Sequence, residues 1–228
     1  MDMIKRVRGM VSELLCGDKS GHGMDHTERV VRLAVKFAEA EGADVEVVTL
    51  AALLHDADDY KLVGAENAKG LVNTRRILTA AGVDKGVSEK VTDIIANMGY
   101  SKMLKGIRPK TIEGKVVSDA DMCDAVGANG FVRTRAYGIK VGRPLFDRNV
   151  WPAVDIDADE YASKASSTCV CHCFEKGLRL RNYMMTKAGR KEIKGRHRTV
   201  VDFLRGLFQE EGAEEWLVYL EDFEKRGH

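Results

Sequence analysis

Apolar residues recur along most of the chain at the three- and four-residue spacing of amphipathic α-helices. The first such stripe covers residues 3–16 and stops at Gly17, and a second runs to about Glu41 before Gly42. Residues 44–54 carry a wide apolar face, which is typical of a buried helix. This periodicity, with only three prolines in the chain, predicts an all-α fold.

Helical patterns continue through the rest of the chain. They predict further helices over residues 65–81, 85–98, 116–126, 127–137, 159–185, 187–209 and 216–223. Irregular stretches are predicted over residues 99–109 and 138–157. The second is long for a connection inside a compact domain, and loops of that length usually cover or line a site.

Length and composition bound the class of protein. A chain of 228 residues with 44% hydrophobic and 31% charged residues is typical of a soluble globular protein with one main core. Thirty-six basic residues against 35 acidic ones leave a net charge of +1, which gives no overall attraction to nucleic acid or to an anionic membrane. Five cysteines, no secretory signal and no apolar run as long as a membrane span predict a cytoplasmic protein.

The buried helix over residues 44–54 ends in an unusual cluster of polar residues. Leu54 is followed by His55, Asp56, Ala57, Asp58 and Asp59. Imidazole and carboxylate together suit divalent ions such as Mn, Fe, Mg or Zn. For a lone His-Asp pair, the alternative is a surface hydrogen bond at the end of a helix, so other parts of the chain must decide between the two.

A second histidine lies in line with an apolar stripe. His26 precedes Val30 by four residues and Leu33 by seven, which places it on the buried face of its helix. It is either a buried imidazole with a hydrogen-bond partner or a ligand. His22 and Asp25 lie close enough in sequence to orient a ligating histidine through its other ring nitrogen.

Three acids interrupt the apolar run over residues 116–126. Asp121 and Asp124 are three residues apart and share a helix face, whereas Asp119 lies on the opposite side. An aspartate is rarely fully buried unless it is paired or binds a metal. Acids on a solvated face are the alternative, but the apolar neighbours leave little exterior surface for them.

Cysteine occupies every second position from residue 169 to residue 173, as Cys169, Cys171 and Cys173. Their single-residue gaps differ from the two-residue gaps of zinc knuckles. The spacing therefore predicts buried small side chains instead of a metal cluster.

The order of histidine, His-Asp pair and aspartate resembles that of the HD superfamily of metal-dependent phosphohydrolases. The matching text is Gly-His-Gly-Met-Asp-His-Thr-Glu-Arg-Val-Val around His26, Ala-Ala-Leu-Leu-His-Asp at His55, and Glu-Gly-Lys-Val-Val-Ser-Asp-Ala-Asp ending at Asp121. The chain is similar in particular to bacterial stand-alone HD proteins, some of which hydrolyse nucleoside triphosphates at the α–β linkage and release diphosphate. Segments 142–147, 172–176 and 186–190 extend the likeness over nearly the full chain.

The resemblance implies a single HD-type domain, with a metal-site core over about residues 20–127 and additional C-terminal helices over about 128–228. It also implies one divalent cation, Mn, Mg or Fe, held by four ligands: His26, His55, Asp56 and Asp121. Asp121 is preferred to Asp119 because the last ligand of the family lies in an Ala-Asp pair that opens a helical turn. Relatives often carry a histidine near the end of the fifth helix, where this chain has Asn97-Met98-Gly99, so no second metal is expected.

Further roles follow from the same resemblance. A carboxylate near the metal would take the proton of the attacking water, and Asp59 is the first candidate, Asp124 the second and Glu113 the third. For Asp59, a turn or capping carboxylate is the alternative. The cations and donors expected to face the phosphates are His22, Arg29, Lys61, Arg133 and Lys176, although each is also compatible with an ordinary surface charge.

The predicted function is metal-dependent hydrolysis of a phosphoester or phosphoanhydride in a nucleotide-like small molecule, with diphosphate release from a nucleoside triphosphate as one form of it. The alternative is a metal-stabilised nucleotide-binding or regulatory module without turnover. Di-iron oxygenases on the same scaffold need extra histidines, and Met98 with only six histidines in the chain counts against them. The sequence leaves open whether the chain forms a homodimer.

Overall fold

The computed structural model describes residues 2–17, 23–59, 63–153 and 168–227. These residues form helices and connecting turns, with no strand among them, so the all-α prediction is confirmed. In the same ranges, no helix combines the length and the apolarity needed to cross a lipid bilayer. The chain divides into two compact units, Met1–Asp121 and Met122–His228. The single-domain organisation stays a prediction.

The first unit is built around a short central helix. Its helices are α1 (Met3–Leu14), α2 (Met24–Glu41), α3 (Val45–Leu54), α4 (Ala65–Gly70), α5 (Val72–Ala80), α6 (Lys85–Asn97), α7 (Tyr100–Leu104) and α8 (Ile112–Asp124), of which α8 runs into the second unit. α3 packs against α1, α2 and α6. Every residue from Val47 to Leu54 is buried, as expected for a helix enclosed on all sides. The carboxylate of Asp44 accepts the N–H groups of Glu46 and Val47 and begins α3.

The helix predicted over residues 65–81 is broken in the structure. Leu71 adopts a left-handed conformation with φ 49°, so α4 ends and α5 begins there. The carboxylate of Asp58 accepts the N–H groups of Asn73 and Thr74, each at 2.8 Å. These bonds satisfy donors that a new helix start would otherwise leave unpaired. A cap from a distant residue thus replaces the continuous helix that the periodicity predicts.

The loop predicted over residues 99–109 contains a helical turn, α7. Within it, Lys102 Nζ donates to the carbonyl oxygens of Ile95 at 3.1 Å and Ala96 at 2.6 Å. These carbonyls lie in the last turn of α6, where a lysine is favoured by the helix dipole. Partial burial of this ammonium lowers the pKa of Lys102.

The second unit is organised around one long helix. Beyond the end of α8, its elements are α9 (Gly127–Lys140), α10 (Cys169–Glu175), a 3₁₀ helix (Gly177–Tyr183), α11 (Lys187–Glu210) and α12 (Glu214–Arg226). α11 packs against α9, the 3₁₀ helix and α12. Trp216 and Phe208, both fully buried, pack together with a ring separation of 5.4 Å.

Part of the helix predicted over residues 159–185 lies outside the described residues, because these resume at residue 168. The remainder is two shorter elements, since Lys176 leaves the helical conformation at the end of α10. Cys169, Cys171 and Cys173 are buried and form no disulfide, which confirms the prediction of small core side chains. Burial raises the pKa of the Cys173 thiol to about 12, helped by its two neighbouring cysteines.

Candidate metal centre

Two histidines and two aspartates from three parts of the first unit meet at one point. His26 lies in the first turn of α2, His55 and Asp56 directly follow α3, and Asp121 lies near the end of α8. The two histidine Nε2 atoms are 3.1 Å apart. Oδ2 of Asp56 is 3.4 Å from Nε2 of His26 and 3.3 Å from Nε2 of His55. Oδ1 of Asp121 is 3.6 and 3.8 Å from the same two nitrogens.

Burial is graded across this group. The side chains of His26 and His55 are 1% and 2% exposed, whereas those of Asp56 and Asp121 are 13% and 29% exposed. The histidines therefore form the floor of the site, and solvent reaches it from the carboxylate side. The alternative of a surface His-Asp hydrogen bond is thereby wrong, because neither imidazole is at the surface.

The ring of His55 is oriented by the main chain. Its Nδ1 lies 2.8 Å from the carbonyl oxygen of Ala52. A carbonyl oxygen can only accept, so Nδ1 carries the proton and Nε2 presents its lone pair to the cluster in the neutral ring. Ligating histidines are typically held by such a bond from the other ring nitrogen.

The group carries a strong preference for positive charge. Burial alone disfavours a charged His55, but the neighbouring Asp56 carboxylate and, more weakly, Asp121 raise the pKa of His55 to about 9. Buried carboxylates without a compensating cation are costly. A proton on His55 or a bound cation supplies that compensation.

The donor set fits a divalent cation. The candidate ligand atoms of His26, His55 and Asp56 all lie within 4.8 Å of one another. Atoms that surround a first-row divalent ion at roughly 2.0–2.2 Å are roughly 3–4 Å apart when adjacent, which is the spacing seen here. Two imidazoles and two carboxylates suit hard to borderline ions and disfavour copper(I).

Asp59 and Arg29 lie one turn from the candidate ligands. Asp59 is half-buried, and its N–H donates to the carbonyl oxygen of Asp56 at 3.1 Å. Arg29 follows His26 by three residues on α2 and forms a 3.0 Å ion pair with Asp25. Although burial opposes it, this guanidinium lowers the pKa of Asp25. The roles of Asp59 as base and of Arg29 towards phosphate stay predictions.

Asp124 and Arg133, both of the second unit, contact each other. Asp124 is fully buried, and its Oδ2 is 3.1 Å from Nη1 of Arg133, whose side chain is 19% exposed. Asp119 is also fully buried, so the alternative of acids on a solvated face is wrong for both aspartates. The buried pair gives Asp124 and Arg133 a structural contact, and their catalytic and binding roles stay predictions.

The remaining predicted residues differ in what the structure says of them. Lys176 terminates α10 in the second unit. Glu113 accepts the N–H of Asp44 at 3.2 Å and so links the starts of α8 and α3. His22 and Lys61 lie outside the described residues.

Two groups that matter here were not singled out from the sequence. The Ala52 carbonyl could have been found from its position three residues before His55, at a helix end where carbonyls lack partners. Asp58 could not, because its partners Asn73 and Thr74 are fifteen and sixteen residues away and neither shows a capping pattern with it.

Known proteins share both the sequence pattern and the fold. Residues 23–126 match the HD domain family. The uncharacterized protein YpgQ of Bacillus subtilis is 33% identical over 206 residues, which cover 89% of this chain and 91% of that protein. Its crystal structure in complex with ADP superposes with a TM-score of 0.70 at 29% identity, over 91% of this chain and 97% of that one.

Two further solved structures are similar over comparable lengths. A Lactobacillus plantarum protein has a TM-score of 0.79 and 29% identity, covering 92% of this chain and 97% of that one. An HD-superfamily hydrolase from Bacillus thuringiensis has a TM-score of 0.70 and 32% identity, with the same coverage. Since the family match spans all four candidate ligands and the B. subtilis relative matches most of both chains, this protein belongs to the HD superfamily of metal-dependent phosphohydrolases.

Proposed function

We propose that the protein hydrolyses a phosphoanhydride or phosphoester bond in a nucleotide, using one divalent cation held by His26, His55, Asp56 and Asp121. The observation that carries this proposal is a buried histidine floor, with the two Nε2 atoms 3.1 Å apart and a carboxylate oxygen of Asp56 and of Asp121 each 3.3 to 3.8 Å from both nitrogens. The hard to borderline character of these donors favours Mn, Mg or Fe as the ion.

A nucleotide substrate is supported by a relative. The B. subtilis protein, 33% identical to this chain, has been crystallised with ADP. ADP carries the phosphoanhydride linkage on which the proposed reaction acts. We extend this to nucleoside triphosphates, with cleavage at the α–β linkage to give a nucleoside monophosphate and diphosphate.

When bound, the cation polarises a phosphoryl oxygen and stabilises the charge that develops at phosphorus. Asp59 takes the proton of the water whose oxygen attacks phosphorus, and the bridging oxygen leaves with the departing phosphate. Asp59 is preferred to Asp124 because the carboxylate of Asp124 is fully buried and already pairs with Arg133. Arg29, one turn from His26, donates to the substrate phosphates.

The setting of the reaction is a reducing compartment. All five cysteines of the chain lie within the described ranges, and none of them is joined in a disulfide. Free thiols in such number are typical of the cytoplasm, which supports the cytoplasmic location predicted from the sequence.

The test is a nucleotide panel incubated with the protein and Mn²⁺, Mg²⁺ or Fe²⁺, with products identified by mass spectrometry. From a nucleoside triphosphate, a nucleoside monophosphate and diphosphate identify cleavage at the α–β linkage. A nucleoside diphosphate and inorganic phosphate identify cleavage at the β–γ linkage. Chelator-treated protein is the control and should be inactive. Nucleotide binding without any product under all three ions would contradict the proposal and favour a regulatory module.

A further inference from the structure

The first half of α11 carries more positive charge than helix stability explains. Residues 187–198 contain six lysines and arginines and one acid, Glu192. Cations near a helix N-terminus oppose the helix dipole, and like charges four residues apart repel each other. Lys194 and Arg198 form such a pair. A surplus that costs stability in the helix suggests a role outside it.

A groove of about 410 Å³ runs along this part of α11 within the second unit. It is lined by basic side chains, two carboxylates, one histidine and one valine: Arg181, Lys194, Arg198, Arg205, Asp202, Glu224, His197 and Val201. Its volume lies in the range of small-molecule sites.

Half of the basic side chains in the groove are already neutralised. Arg181 pairs with Glu224 at 3.2 Å, and Arg205 pairs with Asp202 at 3.0 Å. Among the residues that the structure describes, the side chains of Lys194 and Arg198 have no ion-pair or hydrogen-bond partner. The groove therefore presents two unpaired positive charges, one helical turn apart, and two further cations that are neutralised by ion pairs.

His197 lines the groove and has one ring nitrogen that is buried and unpaired within the described part of the chain. Its side chain is 9% exposed, and Nε2 lies 2.9 Å from Oε1 of Glu224. Its Nδ1 is buried and has no hydrogen-bond partner within the described part of the chain. Buried ring nitrogens are rarely left unpaired in folded proteins, and a bound water or ion is one explanation for such an atom.

We propose that this groove binds a compact phosphate anion of the diphosphate class, using Lys194 and Arg198 of the second unit. An ammonium and a planar guanidinium side by side match the charge and geometry of linked phosphate groups. Because Asp202 and Glu224 already neutralise the other two arginines, the groove offers only two unpaired cations, which suits a compact anion better than the long run of phosphates in a nucleic acid. The groove contains none of the candidate metal ligands, and the proposal does not depend on the proposed catalytic function.

The test is calorimetric titration of the chelator-treated full chain with inorganic diphosphate at low ionic strength. The wild type should bind one diphosphate per chain. The double variant Lys194→Gln/Arg198→Gln should bind at least about tenfold more weakly, because it loses both unpaired cations. The matched control is Lys187→Gln/Lys191→Gln, which removes the same charge from exposed positions of α11 outside the groove. It should stay within about twofold of the wild type.

Three outcomes would overturn the proposal. Equal weakening in the two double variants would show general attraction to a basic helix. Absence of saturable binding in the wild type would show that no site exists. Loss of diphosphate binding in Asp56→Ala would assign the anion to the metal centre. The single variants Lys194→Gln and Arg198→Gln should each have a diphosphate affinity between those of the wild type and the double variant. Circular dichroism checks that every variant is folded.

Discussion

Single residues at the candidate metal centre differ in burial, and this sets what their removal does. The two histidines are almost inaccessible, whereas Asp121 is about a third exposed at 29%. Each buried donor balances the charge of its neighbours, and His55 is further tied to the carbonyl of Ala52. Loss of one donor therefore affects cation binding before it affects packing.

Substitution of a donor should remove the metal and leave the fold. We expect His55→Ala and Asp56→Ala to bind Mn²⁺ more than about a hundredfold more weakly, because loss of a group that merely orients a ligand already costs about 10–100-fold. Metal content measured by plasma mass spectrometry should fall well below one ion per chain. Asp84→Asn is the control, since this aspartate is exposed at the start of α6 and is neither a candidate ligand nor a contact of one. Full metal occupancy in both alanine variants would remove these residues from the site.

Asp59 should affect rate without affecting metal content. In Asp59→Asn the side chain keeps its size but cannot take a proton, so kcat should fall by about 10²–10⁴-fold. Metal binding and thermal unfolding should match the wild type. Asp124→Asn distinguishes the second candidate base, because it breaks the buried pair with Arg133 and should lower stability as well. Unchanged turnover in Asp59→Asn would show that Asp59 is not the general base and would favour its alternative role as a turn carboxylate.

Two helix ends in the first unit are completed by side chains from outside the helix concerned. α5 begins where Asp58 accepts two main-chain N–H groups, and α6 ends where Lys102 donates to two main-chain carbonyls. Such caps fix both the length of an element and its position beside its neighbours. In the first unit, the Asp58 cap follows the candidate ligand Asp56 by two residues and ties that turn to α5.

The buried cap should contribute more to stability than an exposed one. Asp58→Ala leaves two N–H groups without an acceptor in a buried place, and we expect a loss of about 2–3 kcal/mol in the free energy of unfolding. Asp84 caps α6 through Gly86 and Val87 at an exposed position, so Asp84→Ala should cost about 1 kcal/mol. Urea denaturation followed by circular dichroism measures both. A smaller loss for Asp58→Ala than for Asp84→Ala would contradict the assigned role.

Two glycines in helices of the second unit, one in a close helix contact and one in open space, should respond oppositely to substitution by alanine. A Cβ on Gly138 of α9 would lie 2.5 Å from Sγ of Cys169 in α10, whereas a Cβ on Gly206 of α11 would meet nothing within 4 Å. Gly138→Ala should therefore lower the free energy of unfolding by about 1–3 kcal/mol. Gly206→Ala should raise it by about 0.5–1 kcal/mol through helix propensity. Thermal unfolding checks the signs, and a stabilised Gly138→Ala would show that the helices can separate.

Sequence patterns predicted the helices well where apolar periodicity was long and uninterrupted, as in α2, α3 and α11. They missed the break at Leu71 because a left-handed leucine is unfavourable locally and is stabilised by tertiary contacts from Asp58. They also missed α7, whose five residues are too short for a periodic signal. At the site, the polar residues in an apolar stripe marked His26, His55 and Asp56 as candidates, but the capping role of Asp58 depends on residues fifteen and sixteen positions away and has no local sequence signal.

At the scale of the whole molecule, the candidate metal centre and the basic groove belong to different compact units. The four candidate ligands all lie in Met1–Asp121, and all residues of the groove lie in Met122–His228. The chain can therefore hold a cation and a phosphate anion on separate sets of side chains. Binding at each site should stabilise mainly the unit that contains it, and amide hydrogen exchange can measure this unit by unit.

Metal binding should stabilise the first unit selectively. The donors come from α2, the end of α3 and α8, which are distant in sequence, so a bound cation links segments that the unfolded chain would hold apart. A ligand at 100 times its dissociation constant stabilises the folded state by about 2.7 kcal/mol. We expect amide hydrogen exchange in α2, α3 and α8 to slow by up to about a hundredfold when Mn²⁺ is added to chelator-treated protein. Amides of α11 and α12 should change little.

Inorganic diphosphate provides the converse experiment on the same chelator-treated protein. It should slow exchange in α11 and the 3₁₀ helix, whose side chains line the groove, and should leave α2 and α3 unchanged. The Asp56→Ala variant should lose the Mn²⁺ effect and retain the diphosphate effect, since Asp56 is a candidate ligand and does not line the groove. Protection by Mn²⁺ confined to α11 and α12 would place the cation outside the His-Asp cluster and refute its assignment as the metal centre.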